Sequence, residues 1–210
     1  MTYVIPSDIA HNTDVVVEDK GKSMSSPRER LVYTTVKQLR EHGVEGTGLR
    51  PLVAEADAPW GSLRHYFPGG KDQLVSEALE WSGSFAADLV SGYLRRNRPT
   101  ARGLVRVIVR WWIEDLDAHD FARGCPVAAA VVDCAHTNET IRASAARALE
   151  TWQEPIRRAL VELGFATREA DELATFILSG LSGAIILARA RRTTEPLRIL
   201  ERRLIPLLSR

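Results

Sequence analysis

From residue 27 onward, apolar side chains recur at three- and four-residue steps, and no segment sustains the alternation that a β-strand needs. An all-α fold follows, which proline and glycine divide into about nine helices with no internal repeat. Residues 1–25 are polar and without period, and read as a flexible tail. The first helix opens at Ser26-Pro27-Arg28-Glu29. There Ser26 can cap the free amides, Pro27 suits the first helical position, and Glu29 can reach back to Ser26. Gly43 suits its end, because glycine takes the left-handed conformation at no steric cost. Two short helices are expected at 49–56 and 59–67, joined by the tight turn Asp57-Ala58-Pro59. Pro68-Gly69-Gly70 then breaks the chain, and further helices are expected over 71–97, 99–119, 124–136, 138–163, 167–192 and 196–208. Residues 26–75 form one unit and residues 76–210 a larger second one.

The 28 basic and 27 acidic side chains leave a formal charge of +1 over 210 residues. A near-neutral chain does not coat nucleic acid by bulk charge, so any DNA contact must be local. No stretch approaches the roughly 18 unbroken apolar residues of a membrane span, and no membrane partner is expected. Two cysteines are too few for a disulfide framework, which points to a reducing cytoplasm. Catalytic patterns are missing as well. There is no Gly-x-Ser-x-Gly and no His-Glu-x-x-His; Gly46-Thr47-Gly48 lacks the third glycine of a dinucleotide loop, and Gly70-Lys71-Asp72 lacks the rest of a phosphate loop. His11, His42, His65, His119 and His136 have no metal-ligand spacing. Neither an enzyme nor a metal or organic cofactor is expected.

Three consecutive helices, the last two joined by a short turn, make a helix-turn-helix candidate. In such a unit the later helix enters the major groove and the earlier one braces it. The segment 59–67 has the two faces this requires. Leu63, Tyr66 and Phe67 fall on one stripe, and Trp60, Gly61 and Arg64 lie opposite.

These residues also carry a resemblance. The run Gly43-Val44-Glu45-Gly46-Thr47-Gly48-Leu49-Arg50, then Ala54-Glu55-Ala56, then Gly61-Ser62-Leu63-Arg64-His65-Tyr66-Phe67-Pro68-Gly69-Gly70-Lys71-Asp72-Gln73-Leu74, resembles the DNA-binding domain of TetR-type transcriptional regulators. Phe67-Pro68-Gly69-Gly70-Lys71, with Gly124-Cys125-Pro126-Val127-Ala128-Ala129, is similar to the YxaF/LmrA-like branch. The resemblance implies a homodimer on a palindromic double-stranded operator. It also implies a C-terminal domain that binds a small effector and releases the DNA, as a ligand-controlled repressor does. The sequence departs from the pattern at Asp57, where a glycine is usual, at Arg64 in place of a tyrosine, and at Trp60 in place of a basic residue.

On physical grounds, Lys71 beside the Gly69 and Gly70 amides can hold a phosphate. Thr47 can donate to a phosphate or cap the second helix. Arg64 can take a guanine in two bonds or hold a phosphate. Trp60 can press on a thymine methyl or a sugar, or pack against the first helix. Gly61 lets the backbone approach the groove, Ser62 shares that exposed turn, His65 can bond a phosphate, and Arg50 can reach a base edge. Seven basic and six acidic side chains over residues 27–75 predict modest, salt-sensitive nonspecific affinity.

In the C-terminal unit, Trp111, Trp112, Asp115 and His119 share a helical stripe, with Trp152 and Phe176 on later helices. The family places such residues around a cavity, and aromatic walls with few polar groups suit a small apolar or aromatic effector. Asp115 and His119 can anchor it or pair with arginines at the rim. Control by a protein partner, or by oxidation of Cys125 at a helix start, is the alternative. The small residues Ser179, Gly180 and Gly183, with Leu197, Leu200, Leu204 and Leu208 of the last helix, are the expected dimer surface.

Overall fold

A computed structural model describes residues 26–95 and 98–209. The tail expected over residues 1–25 lies outside the described residues. Ser26 starts α1 (Pro27–Gly46) with a full capping box. Its hydroxyl accepts from the Glu29 amide at 3.2 Å, and the Glu29 carboxylate accepts from the Ser26 amide at 3.3 Å. Gly43 has φ 71° and kinks α1, where an end was expected, so that a last turn over residues 44–46 changes direction. Asp133 closes this joint from another helix, its Oδ2 accepting from the Val44 amide at 2.7 Å and the Glu45 amide at 3.4 Å. A Cβ on Gly43 would meet that oxygen at 2.4 Å. Gly43→Ala is therefore expected to cost about 1–3 kcal/mol through strain and displacement of Asp133, read as a lower urea midpoint.

The two short helices follow as α2 (Leu49–Glu55) and α3 (Trp60–Tyr66). Asp57 sits between them in the left-handed conformation, φ 47°, and the Ala58 amide returns to the Val53 carbonyl at 3.2 Å. Arg30 of α1 fixes the turn by donating to the carbonyls of Ala56 at 2.9 Å and Asp57 at 2.8 Å. Lys37 and Gln38 hold Glu55 of α2, each at 2.8 Å. The glycine-to-aspartate departure thus leaves the turn geometry intact.

Beyond the head, α4 (Gly70–Leu94) packs along α7 (Glu139–Glu162). Between them come α5 (Ala101–Ala118), capped by Thr100, and α6 (Pro126–Cys134); α7 is capped by Asn138. The chain ends with α8 (Thr167–Arg191), α9 (Glu195–Leu204) and a 3₁₀ turn, Ile205–Leu208. These nine α-helices, without a strand among the described residues, confirm the all-α expectation. One continuous core runs from Leu31, Leu52 and Phe67 of the head to Leu104, Leu160 and Ile177 behind it. Against α1 lie α6 and α4, so the head is seated on the larger unit through its first helix.

The C-terminal helices correct part of the expected dimer surface. Leu197, Leu204 and Leu208 are buried within the protomer, because α9 folds back on α5 and α8. Gly180 serves the same packing: a Cβ there would meet Leu200 at 2.6 Å. Leu197, Leu204 and Leu208 thus close the protomer, while Gly180 and Leu200 pack on each other and stay half-buried. What α8 exposes is a stripe of Phe176, Ser179, Gly183, Ile186 and Leu187, which keeps Ser179 and Gly183 of the expected surface and is continued by Ile199 of α9. No charge falls between Glu172 and Arg189, so by length and composition alone α8 is apolar enough to cross a membrane. Only 33% of its most apolar window is buried, too little for an ordinary core helix.

Candidate DNA interface and internal cavity

On α3 the two predicted faces are realised. Leu63 and Phe67 are buried and Tyr66 is half-buried, while Gly61, Arg64 and His65 are exposed. Trp60 is 55% exposed, so it does not pack against α1. Nothing lies within 4 Å of the position a Gly61 Cβ would take, leaving the backbone open to close approach. His65 rests edge-on against Tyr66, with ring centres 4.9 Å apart. Ser62 is half-buried and donates its hydroxyl to the Pro59 carbonyl at 2.6 Å, so it can meet a base only as an acceptor.

Two assignments in the head need correction. Thr47 is buried and donates to the Gly43 carbonyl at 2.6 Å, one turn back; it neither reaches a phosphate nor caps α2, whose cap position is Gly48. The Gly69 and Gly70 amides are not free, since they donate to the Gln73 side chain and the Phe67 carbonyl, each at 2.9 Å. Lys71 stands half-exposed without them.

Charge pairing sharpens the electrostatics beyond what counting allowed. Arg28 pairs with Glu77 at 2.5 Å, Lys37 with Glu55, Arg40 with Asp115, and Arg30 is held by carbonyls. Arg50, Arg64 and Lys71 form no ion pair among the described residues, and all three are DNA-contact candidates. Of the basic side chains of the head, these three are the ones that internal pairing leaves over, while Glu45 and Asp57 of the head likewise form no ion pair among the described residues.

Behind the head lies a cavity of about 90 Å³. Trp111, Trp112 and Trp152 line it as expected, and so do Trp81 and Phe85 of α4, which the sequence reading did not assign. The rings interlock: Phe85 on Trp111 at 4.9 Å, Trp111 on Trp112 at 4.9 Å, and Trp81 against Tyr33 of α1 at 5.9 Å. Trp152 is anchored by donating from Nε1 to the Ser82 carbonyl at 2.8 Å. Four of the five tryptophans thus face the cavity, and the fifth, Trp60, is on α3. Phe176, expected in the wall, points away and is 53% exposed.

Asp115 and His119 are also corrected, because neither lines the cavity. The two arginines they hold do so instead. Asp115 receives the Arg40 Nη2 group in a pair whose side chains are 4% and 8% exposed. His119 takes Arg123 at Nε2, so the Nδ1 nitrogen carries the proton and donates to the Asp115 carbonyl at 2.7 Å. Arg123 also donates to Glu41 of α1 at 2.8 Å. Arg40 donates from Nε to the Gly124 carbonyl at 3.0 Å, the Gly124 amide returns a bond to the Arg40 carbonyl at 2.8 Å, and the guanidinium lies 5.7 and 5.6 Å from the Trp111 and Trp112 ring centres. A polar chain Glu41–Arg123–His119–Asp115–Arg40 thus stitches α1 to α5 at the cavity wall.

Cys125 lines the cavity but is buried, and this burial pushes its thiol up despite opposing hydrogen bonds from the Ala128 and Val127 amides and the nearby Arg40 charge. The helix start does not make it a reactive thiolate. Cys134 is buried too, and desolvation raises its thiol as well.

The family model for the C-terminal domain of LmrA/YxaF-like transcriptional regulators matches residues 101–203. The chain is 33% identical over 193 residues to the HTH-type transcriptional regulator Rv0196 of Mycobacterium tuberculosis, covering 88% of this chain and 95% of that one. Among solved structures it resembles a TetR transcriptional regulator from Legionella pneumophila, with TM-score 0.76 and 17% identity over 89% of this chain and 99% of the other. A cysteine-substituted variant of the TetR family regulator CifR, solved with 26 bp double-strand operator DNA, matches with TM-score 0.63 and 24% identity over 86% of this chain and 96% of that one. A helix-turn-helix head with an open α3 face, seated on a helical domain that matches this branch, leaves one assignment: the chain is a DNA-binding transcriptional regulator, not an enzyme, and belongs to the TetR family, in its LmrA/YxaF-like branch.

Proposed function

We propose that the protein is a homodimeric repressor whose paired α3 helices read a palindromic operator, and whose cavity takes a small apolar or aromatic effector that lowers operator affinity. One observation carries this reading: α1, which braces α2 and α3, also supplies Tyr33, Val36, Lys37 and Arg40 to the cavity wall. An effector that enters the cavity meets the helix on which the DNA head is mounted. Two recognition helices enter successive major grooves when they lie about 34–36 Å apart. Tilting α1 and α4 changes that spacing. A 100-fold preference of the effector for the released form corresponds to about 2.7 kcal/mol. The apolar stripe of α8 supplies the surface on which two copies meet, with Ser179 and Gly183 permitting close approach. The CifR complex is consistent with DNA binding through this fold.

Selection from random duplex DNA should recover a palindrome with two half-sites one helical turn apart. A ligand that quenches the cavity tryptophans should weaken binding to it. Quenching ligands that all leave operator affinity unchanged would remove the switch. Arg64→Ala is expected to flatten discrimination at one base position by about 1–3 kcal/mol. Lys71→Ala should weaken all DNA alike and reduce the salt slope by about one unit. Fluorescence anisotropy on matched and mutated operators over a salt series separates the two effects. Control through Cys125 oxidation has less support, given the burial of its thiol, and control by a protein partner gives the tryptophan-walled cavity no role.

A further inference from the structure

We infer that the effector is an aromatic anion, in its simplest form an aromatic carboxylate, whose charged group is held by Arg40 and Arg123 at the α1 end of the cavity. This rests on reading the cavity as the effector site. The charged side chains that line it are Lys37, Arg40 and Arg123, and all three are basic. Their acidic partners, Glu55, Asp115 and Glu41, bind from behind and do not line it. The surface presented inward is thus cationic although the cluster is balanced.

Arg40 has the geometry for a second anion. Its Nε and Nη2 groups are engaged by Gly124 and Asp115, whereas Nη1 has no acceptor among the described residues. The side chain is mostly buried against Trp111 and Trp112, yet Nη1 is not fully enclosed, so a water or a ligand acceptor can reach it. A carboxylate at this end completes the guanidinium fork, while its ring fits among Phe85, Trp111 and Trp81. An anion entering an otherwise apolar cavity needs such charge-assisted bonds to replace its hydration. A neutral ring with no acceptor leaves Nη1 as it was. Binding also draws on Arg40 and Arg123, the two residues that tie α1 to α5, so the same contact loosens the head.

The test compares 4-fluorobenzoate with the isosteric, neutral 4-fluorobenzamide by ¹⁹F NMR titration at neutral pH. The parent should bind the carboxylate at least tenfold more tightly. Arg40→Gln alone strands a buried carboxylate, so the informative variant is Arg40→Gln with Asp115→Asn, checked for a native helical spectrum. It should lose at least tenfold affinity for the carboxylate and keep its affinity for the amide. Equal binding of the two probes by the parent, or an unchanged preference in the variant, overturns the inference and leaves the cavity as an effector site for neutral molecules. If neither probe binds at millimolar concentration, both the inference and the cavity reading beneath it fall.

Discussion

Asp115→Ala should destabilise the protein by about 3–5 kcal/mol, because it strands the Arg40 guanidinium in the interior without its counter-charge. Urea unfolding followed by circular dichroism gives the loss directly. The penalty belongs to the unpaired charge, so adding Arg40→Met in the same chain should restore most of it. A loss below about 1 kcal/mol would place the pair in contact with water, as for a surface salt bridge. Because the pair joins α1 to α5, the single variant should also loosen the head. Operator affinity should fall along with stability; the double variant should regain stability but not full operator affinity, because the tie between α1 and α5 is still missing.

The second large effect concerns assembly. Phe176→Glu with Leu187→Glu puts two carboxylates on the exposed α8 stripe, where a second copy is proposed to lie. Both side chains face solvent in the protomer, so the monomer should keep its fold and its melting behaviour. Sedimentation should show one copy where the parent shows two. Operator affinity should drop by at least 100-fold, about 2.7 kcal/mol, since one half-site is then read alone. A dimer that survives both substitutions would move the interface elsewhere on the surface.

The head was legible because its signals are local. A capping box, a turn of three residues and a stripe at i, i+3 and i+4 need no knowledge of the rest of the chain, and the capped start of α1, the turn at Asp57 and the buried Leu63–Phe67 edge appear as expected. Thr47 was misread because a hydroxyl donates as readily to the carbonyl one turn back as to a ligand. In α9 the leucine period announced an apolar face without saying whether its cover comes from the same chain or another copy. Asp115 and His119 were placed on the correct helix face, yet the partner of Asp115 is Arg40, 75 positions earlier in sequence. One clue was present: Arg40 falls a turn beyond Val36, on a stripe of α1 that is otherwise apolar. A charge in that place has to find its counterpart in the tertiary structure.

The exchange of two hydrogen bonds between Arg40 and Gly124 has a practical consequence. Cutting the gene after residue 75 would yield a piece whose longest helix has lost its seat, with an arginine and a tyrosine bared where a wall had been. Such a truncation is a poor starting point for chimaeric regulators. A graft that exchanges reading heads between relatives must carry the 123–125 loop and the Asp133 prop along with the head.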